Sequence, residues 1–212
     1  LSVKIFLALI AFICIGLYSI SYHDLKLQSE TITLRQLDNL DFEVEVTYYF
    51  EGFLFYPITV AFPEPGEYQL TNFQRFWNGQ RVEVMKKNSK FDTSFVISGN
   101  SYPFLHVSTY PISLKYKNIS KNIYTFTPPI ISIGKEPFLK KGRLIEYILL
   151  TGSQWRGGID KIELKVYLKN QDCTRLQILP ESYYGYCQDG FIWISTLRNV
   201  KPFKNFRLVL LE

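Results

Sequence analysis

The stretch Tyr147–Leu168, YILLTGSQWRGGIDKIELKVYL, decides how the rest of the chain is read. In its second part Ile162, Leu164, Val166 and Leu168 alternate with Lys161, Glu163, Lys165 and Tyr167. Successive strand residues point to opposite faces, so Asp160–Leu168 is predicted as a strand with one buried and one solvated face. Tyr147–Leu150 is apolar and reads as a second strand. Between the two, Thr151-Gly152 and Gly157-Gly158 bracket a turn that holds Trp155. Glycines there permit positive φ or close backbone approach. Trp155 is expected to plug the end of the core, its N–H finding a carbonyl; the other reading is an exposed ring that stacks on a sugar or lipid.

The same alternation recurs upstream. Phe42, Val44, Val46, Tyr48 and Phe50 share one face, with Glu43, Glu45 and Thr47 on the other. Thr31–Gln36 alternates weakly. Tyr56–Phe62 reads as a strand ended by Pro63-Glu64-Pro65-Gly66, since proline removes a ladder donor. Phe73–Trp77 and Gln80–Met85 flank Asn78-Gly79, a strong signal for a two-residue hairpin. Phe91–Ser98 and two runs within Tyr102–Lys117, split near Pro111, add further strands; Ile112, Leu114 and Tyr116 line one face of the last. Ser120–Asn122 is a polar break, and Thr127-Pro128-Pro129 a stiff connector. Phe191–Leu197 and Phe206–Leu211 close the series.

The chain has 212 residues, is 47% hydrophobic and 17% aromatic, and carries a net charge of +5. That composition supports a folded, strand-rich protein. Many short strands with regular turn signals indicate an all-β fold, an antiparallel β-sandwich of immunoglobulin-like kind. It is either one large sandwich or two small ones, spanning residues 22–120 and 121–212. Residues 1–21 stand apart. Ile5–Ile20 is uncharged, and Ser19-Ile20-Ser21 offers small residues for cleavage after Ser21. The segment is a signal peptide or, if retained, a membrane anchor.

The string Tyr147-x-Leu149-x-Thr151-Gly152-x-x-Trp155-x-Gly157-x-Ile159, with Val60-Ala61-Phe62-Pro63 upstream, resembles a family of uncharacterised exported bacterial proteins classed as a domain of unknown function. Members tend to have proline after that second glycine, where this chain has Gly158. The resemblance implies an exported bacterial β protein and brings no catalytic residues.

Cys14 lies in the apolar segment behind Ile13, without the small-residue pattern of a lipoprotein signal. Cys173 and Cys187 are an even pair that reads as a disulfide in an oxidising compartment. Such a loop of about 15 residues contributes roughly 3 kcal/mol. Inside it lie Tyr183, Tyr184 and Tyr186, which either cover the core or form a glycan-stacking patch. Two histidines, His23 and His106, are too few for a multi-His metal site or a set of triad partners. His106 reads as a satisfied strand residue. No nucleophile elbow, phosphate loop or calcium loop occurs. The lysines at Lys86, Lys87 and Lys90, and Lys140-Lys141-Gly142-Arg143, read as solvated turns, and a coherent nucleic-acid stripe is missing. Asn118-Ile119-Ser120 matches a glycosylation acceptor.

These readings converge on a non-catalytic structural or binding module of the bacterial periplasm or cell envelope. It needs no cofactor or nucleic acid. Its partner is an envelope protein or glycan, and it touches membrane only through an uncleaved N-terminal segment. The alternative is a carboxylate-dependent hydrolase of envelope polysaccharide, which needs convergent acids in one cleft.

Overall fold

The computed structural model describes residues 25–64, 68–88, 96–97, 100–137, 139–149, 157–169, 173–179, 182–190 and 192–212. The expected N-terminal helix, Ser21, Thr151, Gly152 and Trp155 lie outside the described residues.

Among the described residues the strands, numbered in chain order, are β1 (Lys26–Gln36), β2 (Phe42–Glu51), β3 (Ile58–Glu64), β4 (Thr71–Trp77), β5 (Gln80–Val82), β6 (Met85–Asn88), β7 (Val96–Ile97), β8 (Asn100–Ser101), β9 (Phe104–Tyr110), β10 (Lys117–Phe126), β11 (Ile130–Ile133), β12 (Lys140–Tyr147), β13 (Ile159–Tyr167), β14 (Leu176–Ile178), β15 (Tyr186–Gln188), β16 (Ile192–Val200) and β17 (Phe206–Leu211). An eight-stranded sheet runs in the order β15-β16-β13-β1-β2-β10-β4-β5. Its inner face is covered by two smaller sheets, β3-β9-β6 and β11-β12-β17-β14. The fold is therefore all-β and sandwich-like, and antiparallel except where β1 and β13 pair in parallel.

The alternating strands behave as their patterns require. In β2 and β13 the apolar positions Phe42, Val44, Val46, Phe50, Ile162, Leu164 and Val166 are buried. They meet Phe62 of β3, Tyr147 of β12 and Phe206 of β17 from the covering sheets. Asn78 and Gly79 take φ of 49° and 84°, and Trp77 pairs with Gln80 across them, as a tight hairpin of two left-handed residues should.

Other stretches depart from expectation for identifiable reasons. Strand β3 continues through Pro63, paired with Leu105, to Glu64. It lies at the edge of its sheet, where a missing donor is tolerated. Ser120 and Asn122 are buried inside β10, not in a break. Ser120 Oγ lies 2.5 Å from the Tyr110 hydroxyl, and Asn122 Oδ1 accepts from Arg75 Nε at 2.8 Å. The eight-stranded sheet consequently takes strands from both sides of residue 120. Lys86-Lys87 and Lys140–Arg143 belong to β6 and β12, not to turns. Ile112, Leu114 and Tyr116 are exposed outside any strand, and Ser113 between them is buried. Strand β1 contains a bulge between Leu27 and Ser29. The extra residue lets Leu27 and Glu30, three positions apart, both face inward.

Candidate binding surface

The inner face carries one acid without a basic partner at hand. Glu30 of β1 sits opposite Tyr48 and Ile162, buried where the two covering sheets meet at Phe62 and Tyr147. Tyr147 donates its hydroxyl to Glu30 Oε1 at 2.5 Å, and the Tyr48 hydroxyl lies 3.0 Å from that of Tyr147. Burial raises the Glu30 carboxyl to about 7 against the opposing pull of the Tyr147 hydrogen bond. Burial, and then the Glu30 charge, push the hydroxyls of Tyr48, Tyr124 and Tyr147 well above the tyrosine range. A carboxyl that titrates near neutrality has the right proton affinity for general acid work. This one is enclosed by three sheets, so its chemistry is that of a core group.

The second buried acid is Glu64, at the end of β3. His106 Nε2 lies 2.9 Å and Lys86 Nζ 3.0 Å from its carboxylate. The His106 ring stacks on Phe73 with centroids 4.2 Å apart. Burial lowers the His106 pKa, opposed by its hydrogen bond to Glu64. His106 is thus the satisfied strand residue expected from its apolar surroundings. Among the described residues no three His, Cys, Asp or Glu side chains are grouped to hold a metal ion.

The tyrosines of the cysteine loop divide. Cys173 and Cys187 are disulfide-bonded, with Cα atoms 6.0 Å apart. Tyr183 turns inward against Phe203 and Phe206, and the Phe203 N–H donates to its hydroxyl at 3.3 Å. Tyr184 and Tyr186 remain 87% and 61% exposed. Two contacts fix them. Ser195 donates to the Tyr184 carbonyl at 2.6 Å. Gly185 lies so close to the buried Trp193 that a Cβ there would sit 2.2 Å from Cζ2 of its ring, so only glycine fits.

Register extends this surface along the outer face of the large sheet. Tyr186 pairs with Ile194, which pairs with Lys165, which pairs with Thr33. Lys165 interacts electrostatically with both Tyr167 and Tyr186 and is hydrogen-bonded to Glu163. Arg35 lies over the Tyr167 ring, 5.6 Å from its centroid. The exposed Tyr184 and Tyr186, with the half-buried Tyr167 beside Lys165, Arg35 and Glu163, make up a tyrosine platform. Tyr167 was visible in the sequence as an outward residue. Lys165 shares that face two residues earlier on the same strand, whereas Arg35 joins it only through the parallel pairing of β1 with β13, for which local sequence carries no signal.

Of the turn motif, Gly157 has φ of 81°, the left-handed conformation that favours glycine, and Gly158 lies beside the Val200 carbonyl. Asn118 is buried and engaged at both ends of its amide: it donates to Gly52 O at 3.0 Å and Lys115 O at 2.8 Å, and accepts from Asn78 and Ser113. The acceptor pattern around it therefore marks a structural hub, not a glycan attachment site.

No family model matches the chain, and no curated protein matches it in sequence. Solved structures match its fold. A Legionella pneumophila protein proposed to bind a nutrient superposes with a TM-score of 0.58 at 15% identity, over 90% of this chain and 68% of that one. Yeast LTA4 hydrolase, solved with bestatin, matches with a TM-score of 0.50 at 8% identity. It shares 89% of this chain, which corresponds to 29% of the hydrolase. At these identities the likeness is one of fold.

Proposed function

We propose that this protein is a non-catalytic binding module of the bacterial cell envelope that takes glycan chains on the Tyr167–Tyr184–Tyr186 platform. The observation that carries the reading is the pair of exposed tyrosines held by Gly185, Trp193 and the Cys173–Cys187 bond. Keeping two large rings in water costs the fold apolar burial, and a rigid aromatic surface edged by charged hydrogen-bonding groups suits the apolar faces and hydroxyls of sugars. Export is supported by the apolar Ile5–Ile20 segment, by the disulfide and by the motif resemblance around Trp155. The binding assignment of the Legionella protein of similar fold agrees with a module of this kind. The polysaccharide-hydrolase reading needs acids converging in an open cleft, whereas Glu30 and Glu64 are held in interior contacts.

The test is calorimetric titration with N-acetylglucosamine oligomers and with soluble peptidoglycan fragments. Binding that falls about tenfold for each of Tyr184→Ala and Tyr186→Ala, the effect of losing a well-packed anchor, supports the platform. Binding unchanged in both variants refutes it. Turnover of either probe by the wild type would replace the binding module with the hydrolase.

A further inference from the structure

A second exposed apolar surface lies at the end of the large sheet, on two loops outside the tyrosine platform. Residues 52–57 and 111–116 run side by side. Leu54 and Ser113 exchange backbone hydrogen bonds of 2.9 and 2.8 Å, and Gly52 N–H donates to Tyr116 O at 2.8 Å. Asn118 ties both loops from beneath, through Gly52 O and Lys115 O. The pair is therefore a braced tip. On its outside Leu114 is 72% exposed, and Phe55, Tyr56, Ile112 and Tyr116 are exposed with it. The Phe53 ring lies between Phe55 and Tyr116, with centroids 5.8 and 5.6 Å away. Large apolar side chains left outward on a braced loop mark a surface that meets something.

Two observations select the occupant. The first is charge. Neither loop contains Asp or Glu, and Leu114-Lys115-Tyr116-Lys117 sets two exposed lysines among the apolar residues. Among the described residues the acids at this end of the sheet are Glu51 and Asp160, and Asp160 is ion-paired with Lys26 at 2.9 Å. Aromatic and aliphatic tips with interspersed lysines match the interface of an anionic bilayer: rings sit at headgroup depth and lysines reach the phosphates. The second is chain direction. Lys26, at the start of β1, pairs with Glu51, which pairs with Lys117. The described chain thus enters the fold at the end that carries the tip, directly after the segment containing the uncharged Ile5–Ile20 stretch.

We propose that the tip formed by Phe55, Tyr56, Ile112, Leu114 and Tyr116 docks into an anionic lipid surface, with Lys115 and Lys117 on the headgroups. This contact is separate from the N-terminal segment. It places Tyr186, in register with Ile194, Lys165 and Thr33 further along the sheet, away from the bilayer, and Tyr184 precedes it in the same loop.

The experiment uses the full chain with Cys14→Ser, so that a nitroxide attaches only to an introduced cysteine, either Leu114→Cys or Tyr184→Cys. The protein is bound to vesicles of mixed phosphatidylglycerol and phosphatidylcholine. Accessibility of the label to oxygen and to a water-soluble nickel chelate is then measured. The expected result is that the Leu114→Cys label gains oxygen contact and loses nickel contact several-fold, while the Tyr184→Cys label stays in water. Adding Lys115→Glu with Lys117→Glu, or using phosphatidylcholine alone, returns the Leu114→Cys label to water. The proposal is overturned if that label stays as nickel-accessible as the one at Tyr184→Cys on vesicle-bound protein. It is overturned equally if the label buries without regard to lipid charge, or is already shielded without vesicles in a dimer seen by sedimentation. The near-ultraviolet circular dichroism of each variant, compared with wild type, checks the fold. None of these results bears on sugar binding, so failure here leaves the platform reading to its own test.

Discussion

Glu30 and Glu163 stand one pleat apart in paired strands, Glu30 on the inner face of the large sheet and Glu163 on the outer. On the outer face Glu163 is hydrogen-bonded to Lys161 and then Lys165, and those bonds hold its carboxyl below the usual range. On the inner face Glu30 has tyrosine hydroxyls, and burial lifts it toward neutrality. The backbone environment is the same and the answers are opposite. Where solvent reaches, charge is matched with charge. Where it does not, a proton removes the charge. The comparison also separates two kinds of tyrosine. Tyr48, Tyr124 and Tyr147 belong to the inner network. Tyr167 and Tyr186 stand among the outer charges, so changing them should leave the core intact.

That separation is open to attack by substitution. The largest effect is expected at Phe62, which is buried against Phe73, Tyr124 and Tyr147. Phe62→Ala should cost about 3–5 kcal/mol in denaturant unfolding, while glycan affinity of the remaining folded protein stays at the wild-type value. A change in affinity of equal size would show that the faces are not independent.

Next comes the disulfide. Replacing Cys173 and Cys187 together by serine should lower stability by about 3 kcal/mol and also weaken binding, because the loop that carries Tyr184 is released. This is the one substitution expected to move both readouts.

Glu30→Gln tests the inner face through pH. The folded carboxyl is raised from 4.5 to about 7, so between these values the folded state holds a proton that the unfolded chain has lost. Stability from this group is complete below pH 4.5, declines as pH rises, and is gone above pH 7, a difference of roughly 3 kcal/mol. The Glu30→Gln variant cannot lose that proton. Relative to wild type it should gain stability as pH climbs from 5 to 8 in thermal scans at matched ionic strength. A constant difference across that window would mean that Glu30 is not the neutral acid described. The smallest stability effect is expected for Tyr184→Ala, within about 0.5 kcal/mol of wild type, as for an exposed residue.

The parts of this structure legible in the sequence are those set by local pattern. The apolar alternation of β2 and β13 and the Asn78-Gly79 hairpin each follow from a few adjacent residues. What was hidden depends on partners far along the chain. Ser120 and Asn122 look like a break until Tyr110 and Arg75 satisfy them inside β10. Ile112, Leu114 and Tyr116 alternate like a strand, yet the buried residue of that run is Ser113, held by Leu54. Alternation from Ile32 and Leu34 puts Glu30 on their face while Leu27 falls on the other phase, and the slip at Gln28 brings both inward. What the strand alone does not show is that tyrosine hydroxyls receive Glu30. The tyrosine platform was half visible. Tyr183, Tyr184 and Tyr186 look alike in the sequence, and only the packing of Phe203 and Phe206 against Tyr183 sets it apart.

One titration tests the tyrosine platform most directly: oligosaccharides of N-acetylglucosamine and peptidoglycan fragments added to wild type and to Tyr184→Ala/Tyr186→Ala, with unfolding curves on the same samples. The predicted result is saturable binding to the wild type, at least about tenfold weaker binding to the double variant, and superimposable unfolding curves. Equal binding by both proteins, or an unfolding curve displaced along with the loss of binding, would contradict it.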